Sequence, residues 1–172
     1  MSNGDKKGTV INDFTVTTID GVQVSIGQLL KEKKMVWLNF YYNGCGPCRD
    51  EAPIIARVAQ KYDVAVICFN GKDDADSIRS AAKSTFKFPD SFYLVEDRYS
   101  AIRNKFGLYA YPLNVFIDSG GFVFESVTGS NYSSQFESFV SNNLFTTPEK
   151  IDSVTAAFVE MPAILPGKQR IL

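Results

Sequence analysis

The run MVWLNFY, Met35 to Tyr41, is apolar or aromatic except at Asn39, which suits a strand covered on both faces. From Arg49 onward Ile54, Ile55, Val58, Ala59 and Tyr62 recur at helical spacing. Between the two stands CGPC, Cys45 to Cys48, so a pair of thiols lies where a buried strand hands over to a helix. That handover belongs to sheets whose faces are covered by helices, and it restricts the chain to the α/β class.

The rest of the chain fits the same class. Ile11 to Val24 alternates loosely about an Asp20-Gly21 turn and predicts an N-terminal hairpin, after which Ser25 can cap a short helix through Lys31. VAVICFN, Val64 to Asn70, predicts a second buried strand, followed by a polar loop and a helix through about Thr85. SFYLVED predicts a third strand, and Arg98 to Phe106 a short helix. LNVFID and FVFESVT about the Ser119-Gly120-Gly121 turn predict a hairpin, and Ser133 to Leu144 a last core helix. The expected architecture is a mixed central sheet flanked by helices, with a flexible N-terminus at 1–9, one domain at 10–145 and an extension at 146–172. Thr147-Pro148-Glu149 is a helix start, and Ile151, Val154, Phe158 and Met161 step along one side, so the extension is expected to be helical to about 160.

Composition excludes several functions. A chain of 172 residues with net charge −1 and interspersed charges has no electrostatic footprint for nucleic acid. No apolar run reaches the roughly 20 residues that cross a bilayer, and MSNGDKKG lacks the apolar core of a secretion signal. Histidine is absent, which removes Ser-His-Asp and Cys-His nucleophile pairs and imidazole-ligated metal sites. Three cysteines, Cys45, Cys48 and Cys68, fall short of the about four ligands of a structural zinc site. No metal and no cofactor beyond the Cys45–Cys48 pair is therefore expected. Cys68, inside an apolar strand, reads as a small buried hydrophobe.

A thiol reacts as its thiolate, and free cysteine near pKa ~8.5 is mostly protonated at neutral pH. The unpaired N–H groups and dipole of a helix N-terminus contribute roughly 0.3 to 2 kcal/mol toward negative charge, enough to bring Cys45 to about 7. Gly46 is expected to let the backbone turn tightly, and Pro47 suits the start of the helix because its missing N–H would be unpaired there. Cys48, one turn inward, should be less exposed. The pair then has an attacking member, Cys45, and a resolving member, Cys48.

NGCGPC resembles thioredoxin, and INDFTVTTIDGVQVSIGQLL, VWLNFY, CGPCRDEAP and KFGLYAYPLNVFIDSGG together resemble the TlpA/ResA branch of bacterial thioredoxin-like thiol–disulfide oxidoreductases, over about Val10 to Leu144. The resemblance implies a thioredoxin-like fold, with Pro112 as the active-site cis-proline and Tyr111 as the residue whose backbone pairs with an incoming peptide. It also implies that Glu51 faces the buried thiol and delays attack by Cys48 until a mixed disulfide has formed; a solvated helix glutamate is the alternative. Asn39 stands where thioredoxin has a buried aspartate, and Pro53 where the family's helix is kinked.

The family usually reads FWATWC, whereas FYYNGC puts Tyr41 and Gly44 at the two tryptophan positions. Gly44 removes an aromatic ledge, so Cys45 is expected to be open and its loop mobile. Gly44, Gly46, Pro47, Tyr111 and Tyr41 are the expected substrate-binding residues. The expected activity is reduction of protein disulfides, with recharging by an upstream thiol reductant. CGPC favours the reducing direction, since thioredoxin lies near about −270 mV and DsbA near about −120 mV. The alternatives are an interaction module with a vestigial CxxC, and a peroxiredoxin-like peroxide reductase, although the threonine and arginine that flank a peroxidatic cysteine have no match around Cys45. The resemblance implies an extracytoplasmic location with an anchor absent from this chain; a cytoplasmic one is the alternative.

Overall fold

The computed structural model describes residues 7–107 and 110–144, and the backbone of 157–159. The chain opens with β1 (Thr9–Ile11) and the predicted hairpin of β2 (Thr15–Thr17) and β3 (Gln23–Ser25). The hairpin turn is closed by Thr18 N–H to Val22 O and Gly21 N–H to Thr18 O, and Gly21 takes the left-handed φ of 82° that a side chain would strain. The Ser25 hydroxyl accepts the Gln28 N–H and starts α1 (Ile26–Glu32), as its residue type predicts. Then come β4 (Met35–Tyr41), α2 (Gly46–Tyr62), β5 (Ala65–Asn70), α3 (Ala75–Ser84) and β6 (Tyr93–Glu96). The hairpin of β7 (Leu113–Asp118) and β8 (Val123–Thr128) and the helix α4 (Phe136–Asn143) follow, and β9 (Ala157–Val159) pairs in parallel with β1.

The central sheet runs β6-β5-β4-β7-β8, with β4, β5 and β6 parallel and β7 and β8 antiparallel to their neighbours. All seven residues of β4 are buried because it is the middle strand and both its faces are covered. Val36, Leu38 and Phe40 enter one core with Ile26, Leu29 and Phe106. Met35, Trp37 and Tyr41 enter the other, with Ile55 and Val58 of α2 and Phe136 and Val140 of α4. Asn39 shares the second face and is one of its few polar residues.

Three expectations need correction. Arg98 to Phe106 is not one helix but two 3-10 turns, Arg98–Ser100 and Arg103–Phe106, because Tyr99 and Ser100 take left-handed φ of 61° and 56°. The Asp97 carboxylate starts the second turn by accepting the N–H groups of Ile102 at 2.8 Å and Arg103 at 3.0 Å. The last core helix begins at Phe136, after a 3-10 stretch over Ser130–Gln135 that takes in Ser133. In the extension, Ala157–Val159 is a strand rather than the end of a helix, since pairing with β1 overrides a weak local helical pattern. The remainder of that predicted helix lies outside the described residues.

Candidate active site

Cys45 is the N-cap of α2, and its sulfur accepts the Cys48 N–H at 3.2 Å. The Cys45 N–H is itself bound to Tyr42 O at 3.2 Å, so the backbone on both sides of the sulfur is fixed. A sulfur in this place meets the unpaired N–H groups of a helix start, which favour charge on it once it is reduced. Cys45 and Cys48 are joined as a disulfide with Cα atoms 5.2 Å apart. Pro47 lies in the first turn, where it removes no helical hydrogen bond, and Pro53 sits farther along on the exposed side of the helix.

Exposure does not separate the two cysteines as expected: each is 3% exposed. In the closed pair each sulfur covers the other, and both pack into the second core, against which Tyr42 and Tyr111 lie half-buried. The loop before Cys45 is not loose either. Asn43 ties it to the segment after β5: its backbone N–H reaches the Asp73 carboxylate at 2.8 Å, its amide donates to Ser77 O at 3.1 Å, and its carbonyl accepts from Asn70 at 3.0 Å. Gly44 is exposed, and a Cβ there would make only ordinary contact with the Tyr42 ring at 3.5 Å. Gly46 makes no special turn; it is the first residue of α2, and a Cβ there would meet only Arg49 Nη2 at 3.8 Å.

Tyr41 is fully buried, so it cannot touch a docked substrate. It shares the face of Met35 and Trp37 and stands edge-on to Phe86 and Phe88 at 5.0 and 5.4 Å. Burial raises its hydroxyl pKa well above the ordinary tyrosine value. Tyr42 and Tyr111 instead lie partly buried against the core that holds Cys45, and their rings meet edge-to-face at 5.3 Å. Lys72 Nζ lies 4.0 Å over the Tyr42 ring and the Arg103 guanidinium 4.4 Å over that of Tyr111. The Tyr111 hydroxyl bonds to Ser100, and the Tyr111–Pro112 peptide bond is cis.

Glu51 is not a solvated helix residue. It is 1% exposed and lies three residues after Cys48, on the same side of α2. Its Oε1 accepts from the amides of Asn39 and Asn114, each at 3.0 Å, while Oε2 is buried without a hydrogen-bond partner among the described residues. Burial raises its pKa from 4.5 to about 8, against the pull of the two amides. Cys68 is buried opposite Asn39 on β5, and burial together with the nearby Glu51 keeps its thiol protonated. Asn114, Asn43 and Arg103 are parts of the site that sequence reasoning missed. An asparagine within the otherwise apolar LNVFID was the available signal for Asn114, because a buried amide needs partners.

Residues 8–126 match the AhpC/TSA family. The chain belongs to that family. It is 29% identical over 132 residues to the thiol-disulfide oxidoreductase ResA of Bacillus cereus, covering 74% of this chain and 73% of ResA. It is 25% identical over 136 residues to the thioredoxin-like protein YneN of Bacillus subtilis, covering 78% of each. A thiol:disulfide interchange protein of Chlorobium tepidum superposes with a TM-score of 0.67 at 22% identity, over 81% of this chain and 99% of that one, so the fold is thioredoxin-like. Thiol–disulfide exchange is the chemistry that the Cys45–Cys48 disulfide and the relatives named thiol-disulfide oxidoreductases have in common.

Proposed function

We propose that this AhpC/TSA protein reduces protein disulfides, with Cys45 as nucleophile and Cys48 as resolving thiol. The observation that carries the proposal is the Cys45 sulfur at the N-cap of α2, holding the Cys48 N–H. In the reduced protein the Cys45 thiolate attacks one sulfur of a substrate disulfide. A Cys45–substrate bond forms, the substrate S–S bond breaks, and the other substrate sulfur leaves as thiolate. Cys48 then gives its proton to the ionised form of Glu51, whose share grows as pH approaches about 8, and attacks Cys45, closing the Cys45–Cys48 bond and releasing the second substrate thiolate. Two electrons pass to the substrate, and an upstream thiol reductant restores the dithiol.

Glu51 suits its part because a carboxyl with a pKa near 8 exchanges protons readily with a thiol at neutral pH. Tyr111 and Pro112 form the edge along which an extended substrate segment lies, beside Gly44 and Pro47, both exposed next to Cys45. The resemblance to the ResA branch supports an extracytoplasmic workplace. The test is insulin reduction driven by dithiothreitol: turnover in the native chain and its loss in Cys45→Ser support the proposal. No turnover in the native chain would favour an interaction module instead. Trapping partners on Cys48→Ser identifies the natural substrate.

A further inference from the structure

The orientation of the polar cluster beneath the disulfide follows from a residue that can act in only one way. The Trp37 indole is a donor only, and its Nε1 stands 2.8 Å from Asn114 Oδ1. That oxygen must therefore be the amide carbonyl, which leaves Asn114 Nδ2 pointing at Glu51 Oε1. Asn39 lies 2.9 Å from the same Asn114 Oδ1, so its Nδ2 also faces the cluster and its second hydrogen reaches Glu51 Oε1. Oε1 thus receives two N–H donors, and an oxygen so engaged has no room for a proton of its own. Oε2, equally buried, has no hydrogen-bond partner among the described residues.

We propose that Asn114 is a positioning residue for thiol exchange: together with Asn39 it occupies Oε1 of Glu51 and makes Oε2 the oxygen that carries the proton. The proposal rests on the exchange mechanism above and adds to it the group that orients the acid. Asn114 is well placed for this, two residues along β7 from Pro112 and directly across the sheet from Asn39. A protonated Oε2 would donate toward a thiolate, and an ionised one would accept from a thiol, without rotation of the carboxyl group. Among the described residues Cys68 of β5 is a titratable neighbour and Cys48 stands one turn back on the same helix; β4 and β7 give the carboxyl the amides of Asn39 and Asn114, while the indole bonds Asn114 rather than the carboxyl. Burial alone would hold the carboxyl neutral to still higher pH, and the amides offset part of that effect.

The first test uses the unmodified reduced protein. The side-chain NH2 resonances of Asn39 and Asn114 are followed by 15N NMR from pH 5 to 10, alongside the Glu51 carboxyl carbon. Both amides should move with the midpoint of Glu51, and both should stay flat in Glu51→Gln. In Asn114→Leu the Glu51 midpoint should rise by about one pH unit, as should the ascending limb of the pH profile for resolution by Cys48. In Trp37→Phe, which disturbs the same cluster but keeps both donors on Oε1, the two midpoints should stay where they are. A purely structural role for Asn114 predicts that both variants lose stability and neither moves the midpoint. Amides that ignore the Glu51 titration, or an unchanged midpoint in Asn114→Leu, would overturn the proposal, and if that variant does not fold the amide titration decides. The NMR titrations need no substrate, so absence of insulin reduction would refute the exchange reading separately.

Discussion

A Cβ on residue 71 would stand within the van der Waals radius of the Tyr111 hydroxyl, so Gly71 is what gives that ring its seat. The ring is already held by Ser100, Tyr42 and Arg103, and it has no room to retreat without losing them. Gly71→Ala should therefore displace Tyr111 from the proposed substrate edge. We expect KM for insulin reduction to rise about fivefold or more, the equivalent of roughly 1 kcal/mol of docking, while Cys45 alkylation stays unchanged. Unaltered KM would show that Tyr111 takes no part in docking.

Glu51 makes stability depend on pH in a direction opposite to that of most carboxylates. Folded Glu51 holds its proton up to about pH 8, whereas an ordinary glutamate releases it near 4.5. Between those values the folded state binds more protons than the unfolded state, so stability falls as pH rises through the window. Gln at position 51 keeps an oxygen for both amides and never ionises. Thermal melts of the oxidised protein should thus show Glu51→Gln close to the native chain at pH 5 and more stable by a few kcal/mol at pH 9, on the order set by ~1.4 kcal/mol per pKa unit. A constant difference across that range would contradict the buried, raised carboxyl.

Asn43 braces the loop before the disulfide through two side-chain hydrogen bonds, to Ser77 and from Asn70. Asn43→Ala removes both and should cost about 1 to 2 kcal/mol, a fall in Tm of roughly 3 to 6 °C. Amide hydrogen exchange should quicken in this loop and in the segment after β5 together, since each holds the other. Faster exchange in only one of them would show that the brace does not couple them.

The strand-to-helix handover, the hairpin turns and the Ser25 cap were legible in the sequence because each rests on neighbouring residues. Asp20-Gly21 specifies a turn wherever it occurs, and a serine before a helix supplies an oxygen for its first N–H groups. Tyr41 was assigned to the substrate surface from the family's tryptophan position alone, whereas a strand covered on both faces buries every side chain it carries, that ring included. Asn114 reaches Glu51 across sixty-three positions and Asn43 meets Asn70 across twenty-seven, contacts that come into being only when the sheet assembles. The strand at Ala157–Val159 was hidden for the same reason, since its partner is the far end of the chain.

The ionisation of Cys45 is read most directly from the pH dependence of its alkylation in reduced Cys48→Ser, with intact protein mass to follow single modification. The Cys45 sulfur at the start of α2 predicts a midpoint well below the ~8.5 of free cysteine, with reaction proceeding briskly at pH 7. A midpoint at or above ~8.5 would mean that the helix start does nothing for this sulfur, and the exchange mechanism built on it would fall.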